Sequence, residues 1–587
     1  MTWSQAFTEA AGGTSVALCY VLEFVDGDTF NTATTEADGS VGETLILSSF
    51  VDETNTAGAF IAEGGIKVGS SAVTVGTWRY TGGTWSVSVV GDIHPILAAV
   101  TRGSLARLYV GVGADVATMS AADQWEPVTM GVLKNIRGVH PSYTLEFWDL
   151  FTALASRRTT DPDKVELFSN IGNTTTTTAD YTAGDVQVFF DTGDFEIPTA
   201  RKGCIKIDNG TDDPVYFAYD TKAVNSAYGL TVIDGTDVDC PTGSTVTNVG
   251  YLRGKPSDIL RQVLASTGDG SNGSYDLYPE TWGFAIPDDW FDHEDLDAWE
   301  DNVIVQGTGP GAYSALEIDI IQEEPVEDGF RWLMQKLIPL GVWPVIRQGQ
   351  ISIRACQNFM EDEKISSLSG THQIDVYQSE EVSITDAQIV QISEYSAFDP
   401  NLPAECAGFS TGIEVTTGSG GYRFNSAVAP NEWTFATLPA VPLAAVDLSG
   451  LLIRAPHRQY GAVVTEYRNL YWLSRVSESL TIDVADLSLA RLCPGDLIHI
   501  TTAYAYGRFE AEQHATAADA QNQSGGFSDR LAMVTSVNAS WTAQTVRLRL
   551  ALPTMFSPNA ATVPAGVVGS GATPGRRRSC RRGADLC

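Results

Sequence analysis

No apolar run in this 587-residue chain approaches 18 residues, so no helical membrane span is expected. Met1-Thr2-Trp3-Ser4 carries neither a basic stretch nor a long apolar core, so no secretory leader is expected either. Bases are scarce, with 36 Lys and Arg against 72 Asp and Glu and a net charge of −36. Phosphate neutralisation needs the opposite sign, which argues against a nucleic-acid-binding protein. The acidity suits either solubility in a salty environment or a passage along which DNA slides without sticking. The 8 cysteines include no C-x-x-C and no pairing with histidine, which excludes a zinc pattern and a small disulfide scaffold. Buried free thiols are expected, with a Cys204–Cys240 bridge as the alternative. H-E-x-x-H, G-x-S-x-G, the P-loop and the EF-hand loop are all missing, and with them the common hydrolytic and nucleotide chemistries.

What is present is β-structure. Glycine is abundant at 55 residues and helix-favouring runs are few, while the length implies several domains. In Ser474–Thr502 the phase Val476, Glu478, Leu480, Ile482, Val484 alternates with Ser477, Ser479, Thr481, Asp483, a strand with one buried face. Pro494-Gly495-Asp496 makes a tight turn before Leu497–Ile500. The partner expected is Ser540–Pro553, with Val546, Leu548, Leu550 and Leu552 on one face and Arg547 and Arg549 on the other. Near the other end, Val16–Phe24 reads as a strand with Asp26-Gly27 as a hairpin turn. Val73–Tyr80 and Trp85–Val89 read as a hairpin about Gly82-Gly83, followed by strands at Leu105–Val112 and Val128–Ile136. Tyr143, Leu145 and Phe147 share a face ahead of Asp149, a helix cap acting through Arg158.

Between these ends, Thr174–Thr178 reads as an extended linker. Short strands follow at Val186–Phe190, Cys204–Ile207, Val215–Tyr219, Leu230–Ile233 and Thr245–Val249. Tyr216, Phe217, Tyr219 and Tyr228 serve either as core or as sugar-stacking surfaces. A helix is expected after Pro256, with Ser257 as N-cap, Ile259, Leu260, Val263 and Leu264 as its stripe, and Gly268 as its stop. A second helix, Val326–Leu340, carries Phe330, Leu333, Met334 and Leu337 and stops at Gly341. Trp343–Arg354 then forms a hairpin about Gln348-Gly349.

Three strings resemble bacteriophage tail-hub and baseplate-hub proteins. One is the leucine and P-G-D corner at Leu492–Asp496. Another is G-K-P-S-D-I-L at Gly254–Leu260 with L-A-S-T-G, Y-D and P-E-T-W-G-F-A-I-P following as far as Pro287. The third is G-V-W-P-V-I-R-Q-G-Q-I-S-I-R at Gly341–Arg354. The order of elements in Gly138–Asp149 is similar to the first barrel of the same proteins. This resemblance implies a mainly β, multidomain fold with a minor α+β part. Its expected layout is a tube-like barrel at 1–160, an inserted small β-barrel or sandwich at 172–250, an α+β domain at 251–360, a second tube-like barrel at 370–556 and a tail at 557–587. It further implies a structural virion protein, usually a trimer, at the distal end of the tail, assembled in the host cytoplasm. Its partners would be the distal tail ring, tail tube, tape-measure protein and fibres or spikes, with DNA passing through the lumen. Iron–sulfur clusters occur on spaced cysteines in some tail-tip proteins, but nothing local here demands one.

No catalytic, metal or cofactor residue is assigned, and no cofactor is expected. The acids Asp288, Asp289, Asp292, Glu294, Asp295, Asp297, Glu300 and Asp301 around His293 read as a solvated loop, with a divalent-cation site or glycosidase pair as the sharper alternatives. Cys406 with His457 is a numerical pairing without a motif. The five arginines in Arg576–Arg582 are a solvated terminus or a basic arm. Two other functions stay open: a receptor- or carbohydrate-binding tail protein using 172–250, and a tail-associated hydrolase using the acids at 288–301.

Overall fold

The computed structural model describes the chain from residue 8 to 581, apart from short gaps and the longer stretches 30–44, 49–58, 114–124, 156–166, 192–202, 267–282, 356–363, 366–371, 374–381, 400–407, 435–440, 443–450, 455–475, 505–526 and 554–577. It is a mainly β, multidomain protein. Among the described residues no helix is long and apolar enough to cross a membrane.

The N-terminal portion closes into a barrel in which Ala17–Thr29 pairs antiparallel with both Leu45–Ser48 and Ser104–Gly113. Around the wall lie Ala59–Lys67, Trp85–Gly91, Ser142–Asp149, Trp125–Val139 and Ser104–Gly113, all antiparallel neighbours. Alternation does the work: Trp85, Val87 and Val89 point inward with Leu145 and Phe147, each nearly inaccessible, and Trp85 stacks on Phe147 at 3.8 Å. Two turns expected here are absent. Asp26-Gly27 lies inside the long first strand, whose pairing shifts register between Phe24 and Thr29. The hairpin is Ser71–Thr74 with Arg79–Thr81, and Gly82-Gly83 instead carries the chain from that hairpin back into the barrel.

The C-terminal sheet runs Ser383–Thr385, Leu497–Thr502, Phe527–Ser540, Thr545–Pro553, Val476–Val484 and Ile389–Ser396. Leu480, Ile482, Val546, Leu548, Leu550 and Leu552 are fully buried on one face, and Leu480 faces Leu550 in register. Glu478 keeps the inward phase and is also buried, because Arg530 lies 3.4 Å away and Tyr395 donates its hydroxyl at 3.2 Å. Val476–Val484 and Leu497–Thr502, consecutive in sequence about the P-G-D turn, are not neighbours. Two other strands separate them.

The two portions repeat one another. Five antiparallel strands occur in the order Ala59–Lys67, Trp85–Gly91, Ser142–Asp149, Trp125–Val139, Ser104–Gly113 in the first. The order Ile389–Ser396, Val476–Val484, Thr545–Pro553, Phe527–Ser540, Leu497–Thr502 in the second has the same connectivity. A short helical segment joins the second strand of the chain order to the third in both, at His94–Ala99 and at Leu487–Arg491. The turn that follows is built alike. Thr101 N–H donates to Ser104 Oγ (3.0 Å) and Cys493 N–H to Asp496 Oδ2 (2.8 Å). Gly103 N–H donates to the Leu133 carbonyl (2.9 Å) and Gly495 N–H to that of Val534 (2.8 Å). Each accepting strand then bulges at the next residue, between Leu133 and Asn135 and between Val534 and Ser536. The repeats differ at the outermost strand: Ala17–Thr29 is antiparallel to its neighbour and Ser383–Thr385 is parallel. Interior side chains of both sheets belong to one continuous hydrophobic cluster.

A third sheet begins in the middle of the chain. Thr174–Thr176, expected as linker, pairs with Thr245–Thr247, since the extended threonines are as suited to a ladder as to a linker. Strand Thr245–Gly254 pairs with Gly203–Asp208 through its first half and with Ile318–Gln322 through its second, so one ladder runs through residue 250. Tyr216, Phe217 and Tyr219 are core, whereas Tyr228 is 38% exposed. Helix Pro256–Ala265 starts one residue before the expected cap. Lys255 is the N-cap, and Asp258 accepts its backbone N–H at 3.0 Å. The second helix is Gly329–Leu337, capped by Asp328 and prolonged as a tighter turn at Ile338–Leu340. Phe330, Leu333 and Leu337 are buried and Met334 partly so.

Candidate functional site

Three motifs that stand far apart in sequence meet at one buried junction. Strands Val342–Arg347 and Gln350–Ala355 form the expected hairpin, with Gln348 and Gly349 both at positive φ (50° and 67°). This places Arg347 and Arg354 on the same side, facing helix His293–Asn302. Arg354 is inaccessible to solvent. Its Nη1 donates to Asp295 (2.7 Å), its Nε to Asp496 of the P-G-D turn (2.6 Å), and its guanidinium lies 4.6 Å from the Trp299 ring. Arg347 reaches Asp292 at 3.3 Å and Asp295 at 3.4 Å, and Ser352 donates its hydroxyl to Asp295.

Gly495 is what lets the turn sit there. Its φ is +115°, and a Cβ would fall 2.8 Å from both Arg354 Cβ and Trp343 Cζ2. Trp343 Nε1 donates to the Pro494 carbonyl at 3.2 Å, and the same ring stacks on Trp78 of the N-terminal hairpin at 5.1 Å. That hairpin adds to the C-terminal sheet, with Ala72 paired to Ser536 and Ser71 to Val537. The junction therefore ties the first barrel, the α+β portion and the second sheet together.

The acids at 292–300 are thus not a solvated loop. Asp292, Asp295 and Glu300 are buried in and before a helix, Glu294 and Asp297 are exposed, and Asp288 and Asp289 lie outside the described residues. Burial pushes the Asp295 pKa up, but Arg354 and Arg347 outweigh it and hold the carboxyl below its ordinary value. Arg354 is raised well above its own, with Asp295 and Asp496 prevailing over the burial that would lower it. A glycosidase pair needs two carboxyls open to a cleft. Asp292 and Asp295 are closed off and saturated by guanidinium, so neither is placed for proton transfer. Glu300 accepts the Ser257 N–H (2.8 Å) and lies 3.3 Å from Lys255 Nζ, and its pKa is nonetheless pushed up to about 7 by burial.

Other sequence candidates separate. Cys406 and His457 lie outside the described residues, as do Arg158, Gly268, Arg576 and Arg577. Asp149 does cap a helix, Leu150–Leu154, by accepting the Thr152 N–H at 3.1 Å. Cys204 and Cys240 are buried thiols, not a bridge. Arg578–Arg581 pairs as a strand with Gly408–Gly412. A groove of about 500 Å³ lies between the hairpin at Ser71–Thr74 and the outer face of the second sheet. That wall is polar: Ser479, Thr481, Asn538, Arg547 and Arg549, with Arg547 paired to Asp483 (2.7 Å) and Arg549 to Asp399.

No family model and no curated protein matches the chain. Among solved structures, a chain of the virion of a native gene transfer agent particle is 13% identical over 49% of this chain and 94% of its own, with a TM-score of 0.17. Prophage tail protein gp18 from Listeria monocytogenes EGD-e is 7% identical over 92% and 95%, at 0.30. The 43 kDa tail protein of prophage MuSo2 from Shewanella oneidensis is 8% identical over 83% and 95%, at 0.28. At these scores the likeness carries no argument about function.

Proposed function

We propose that this chain is a structural virion protein of a long-tailed bacteriophage, the central hub of the distal tail that adapts tube symmetry, closes the tube and opens for DNA. The observation that supports it is the internal repeat: two sheets with the same strand order, the same glycine turn and the same bulge, joined side by side in one chain. Three copies of such a chain present six equivalent sheets, the number a sixfold tube requires, from half as many subunits. The motifs shared with hub proteins at Gly254–Pro287 and Gly341–Arg354 supply the prior, and the charge-paired polar face of the second sheet suits a wall that DNA slides past. In this reading the distal tail ring, tail tube and tape-measure protein are neighbours. Native mass spectrometry of the purified chain, alone and with the tube proteins of the same virion, tests this. A trimer that binds the tube is expected, and a monomer indifferent to every other virion protein refutes it.

A receptor-binding role is a second reading, favoured by one observation. Phe189 and Tyr228, on adjacent strands Gln187–Phe189 and Ser226–Tyr228, are exposed (40% and 38%), together with Val186 and Val224. Host adsorption competed by free glycan, and abolished by alanine at both aromatics, would favour it.

A further inference from the structure

The repeats also differ along one strand edge. In the second sheet, Leu497–Thr502 covers the edge of Phe527–Ser540 only as far as the bulge, and Ser71 and Ala72 of the first barrel's hairpin take over at Val537 and Ser536. The equivalent edge in the first barrel is the one beyond the bulge of Trp125–Val139. Ser104–Gly113 pairs with that strand at residues 125–132, and Gly103 N–H on the Leu133 carbonyl is its last contact on this side. From Asn135 to Val139 the strand pairs only with Ser142–Asp149 among the described residues. The stretch is open: Ile136 is half-buried, Asn135, Arg137 and Gly138 are exposed, and Val139 is 79% exposed beside Val90 at 40%. In the filled repeat the counterpart of Ile136, Val537, is only 6% exposed.

An uncovered strand edge ending in an exposed valine templates pairing with another chain, and the one charge on it, Arg137, is turned to Glu146 at 2.8 Å. We propose that the edge Asn135–Val139 accepts a strand from a second copy of this chain, as the edge of Phe527–Ser540 accepts the hairpin Ser71–Thr81 within one copy. The donor is a strand of the second repeat of the next copy, just as the first repeat's hairpin serves the second repeat within one copy. First repeat and second repeat then alternate around a closed ring, each donating to the next, a heterologous interface that closes by rotation. This rests on the hub reading for its ring but names a surface that the reading does not.

The test is the double variant Asn135→Lys, Val139→Lys, which charges the edge without touching the barrel interior. Sedimentation velocity over a concentration series, with thermal unfolding as the control for folding, is run on wild type and variant. The expected result is a wild-type ring and a monomeric variant that still unfolds in one cooperative transition, and amide exchange at 135–139 slowed in the ring relative to the variant monomer. A ring that persists in a folded variant, with those amides still exchanging fast, overturns the edge assignment and leaves the hub reading standing. A wild type that remains monomeric throughout overturns both. If the variant unfolds, Val139→Asp alone, at the most exposed position, gives the same readout.

Discussion

Arg354 and Asp496 are 142 residues apart in sequence and 2.6 Å apart in the fold, both nearly inaccessible to solvent. The pair sits where the P-G-D turn of the second sheet meets the Q-G hairpin of the α+β portion, and Asp295 completes it from the facing helix. Breaking a buried pair by removing one partner leaves the other charge unpaired, at about 3–5 kcal/mol. Arg354→Met takes the guanidinium from Asp496 and leaves Asp295 with Arg347 alone at 3.4 Å, whereas Arg354→Met with Asp295→Asn and Asp496→Asn removes both carboxylates as well. The single variant should lose most of that stability in denaturant unfolding, and the triple variant should recover a large part of it.

The two turn glycines separate backbone strain from crowding. Gly103 and Gly495 have φ of +107° and +115°, so alanine pays a similar backbone penalty at each, about 1–3 kcal/mol. A Cβ on Gly103 meets nothing within 4 Å, while on Gly495 it collides with Arg354 and Trp343. Gly495→Ala should therefore be the more destabilising by about a further 1–3 kcal/mol of overpacking. Equal midpoints for the two variants would remove Gly495 from the junction's construction.

How much of this was legible in the sequence depends on what each position demands. Val546, Leu548, Leu550 and Leu552 announce a strand because burial imposes period two, and their register with Leu480 and Ile482 follows. The repeat is hidden for the same reason. Its equivalent sites require only an apolar residue, so Phe147 answers to Leu550 and Val132 to Met533, and identity drifts while order persists. Only the turn keeps chemistry that can be matched: glycine at positive φ and, one residue later, a short oxygen acceptor, Ser104 in one repeat and Asp496 in the other. Asp292 and Asp295 read as a solvated loop because their partners, Arg347 and Arg354, lie 55 and 59 residues on. Within its own segment an acid-rich stretch looks like a solvated one.

Buried cysteines offer a direct check on folding. Cys19, Cys204, Cys240 and Cys493 are buried and in no disulfide, and burial pushes Cys240 up to about 11. Alkylation of the native protein near neutral pH should leave these four unmodified, with all four labelled after denaturation, as read by peptide mass spectrometry. Labelling of Cys493 in the native state would mean that the P-G-D turn opens.

Proton linkage gives the last prediction, with its sign fixed by burial. Glu300 ionises near 4.5 when unfolded and near 7 in the fold, because burial outweighs the Ser257 N–H and Lys255. Between those values the folded protein holds a proton that the unfolded chain has released. Stability from this group is therefore complete below pH 4.5, falls as pH rises to about 7 and is level above. Asp149, raised by burial from 3.8 to about 6, acts in the same sense over a lower window. Asp295 acts oppositely: its pKa is depressed, so its contribution is present above 3.8 and lost as pH falls below. Glu300→Gln retains an oxygen for the Ser257 N–H and cannot ionise. It should abolish the Glu300 part of the decline, on the order of 3 kcal/mol at most between pH 4.5 and 7, and so be the more stable protein at pH 8 and near parity at pH 4.5. Denaturant midpoints across that range measure it, and parallel curves for wild type and variant would show that Glu300 is ionised throughout.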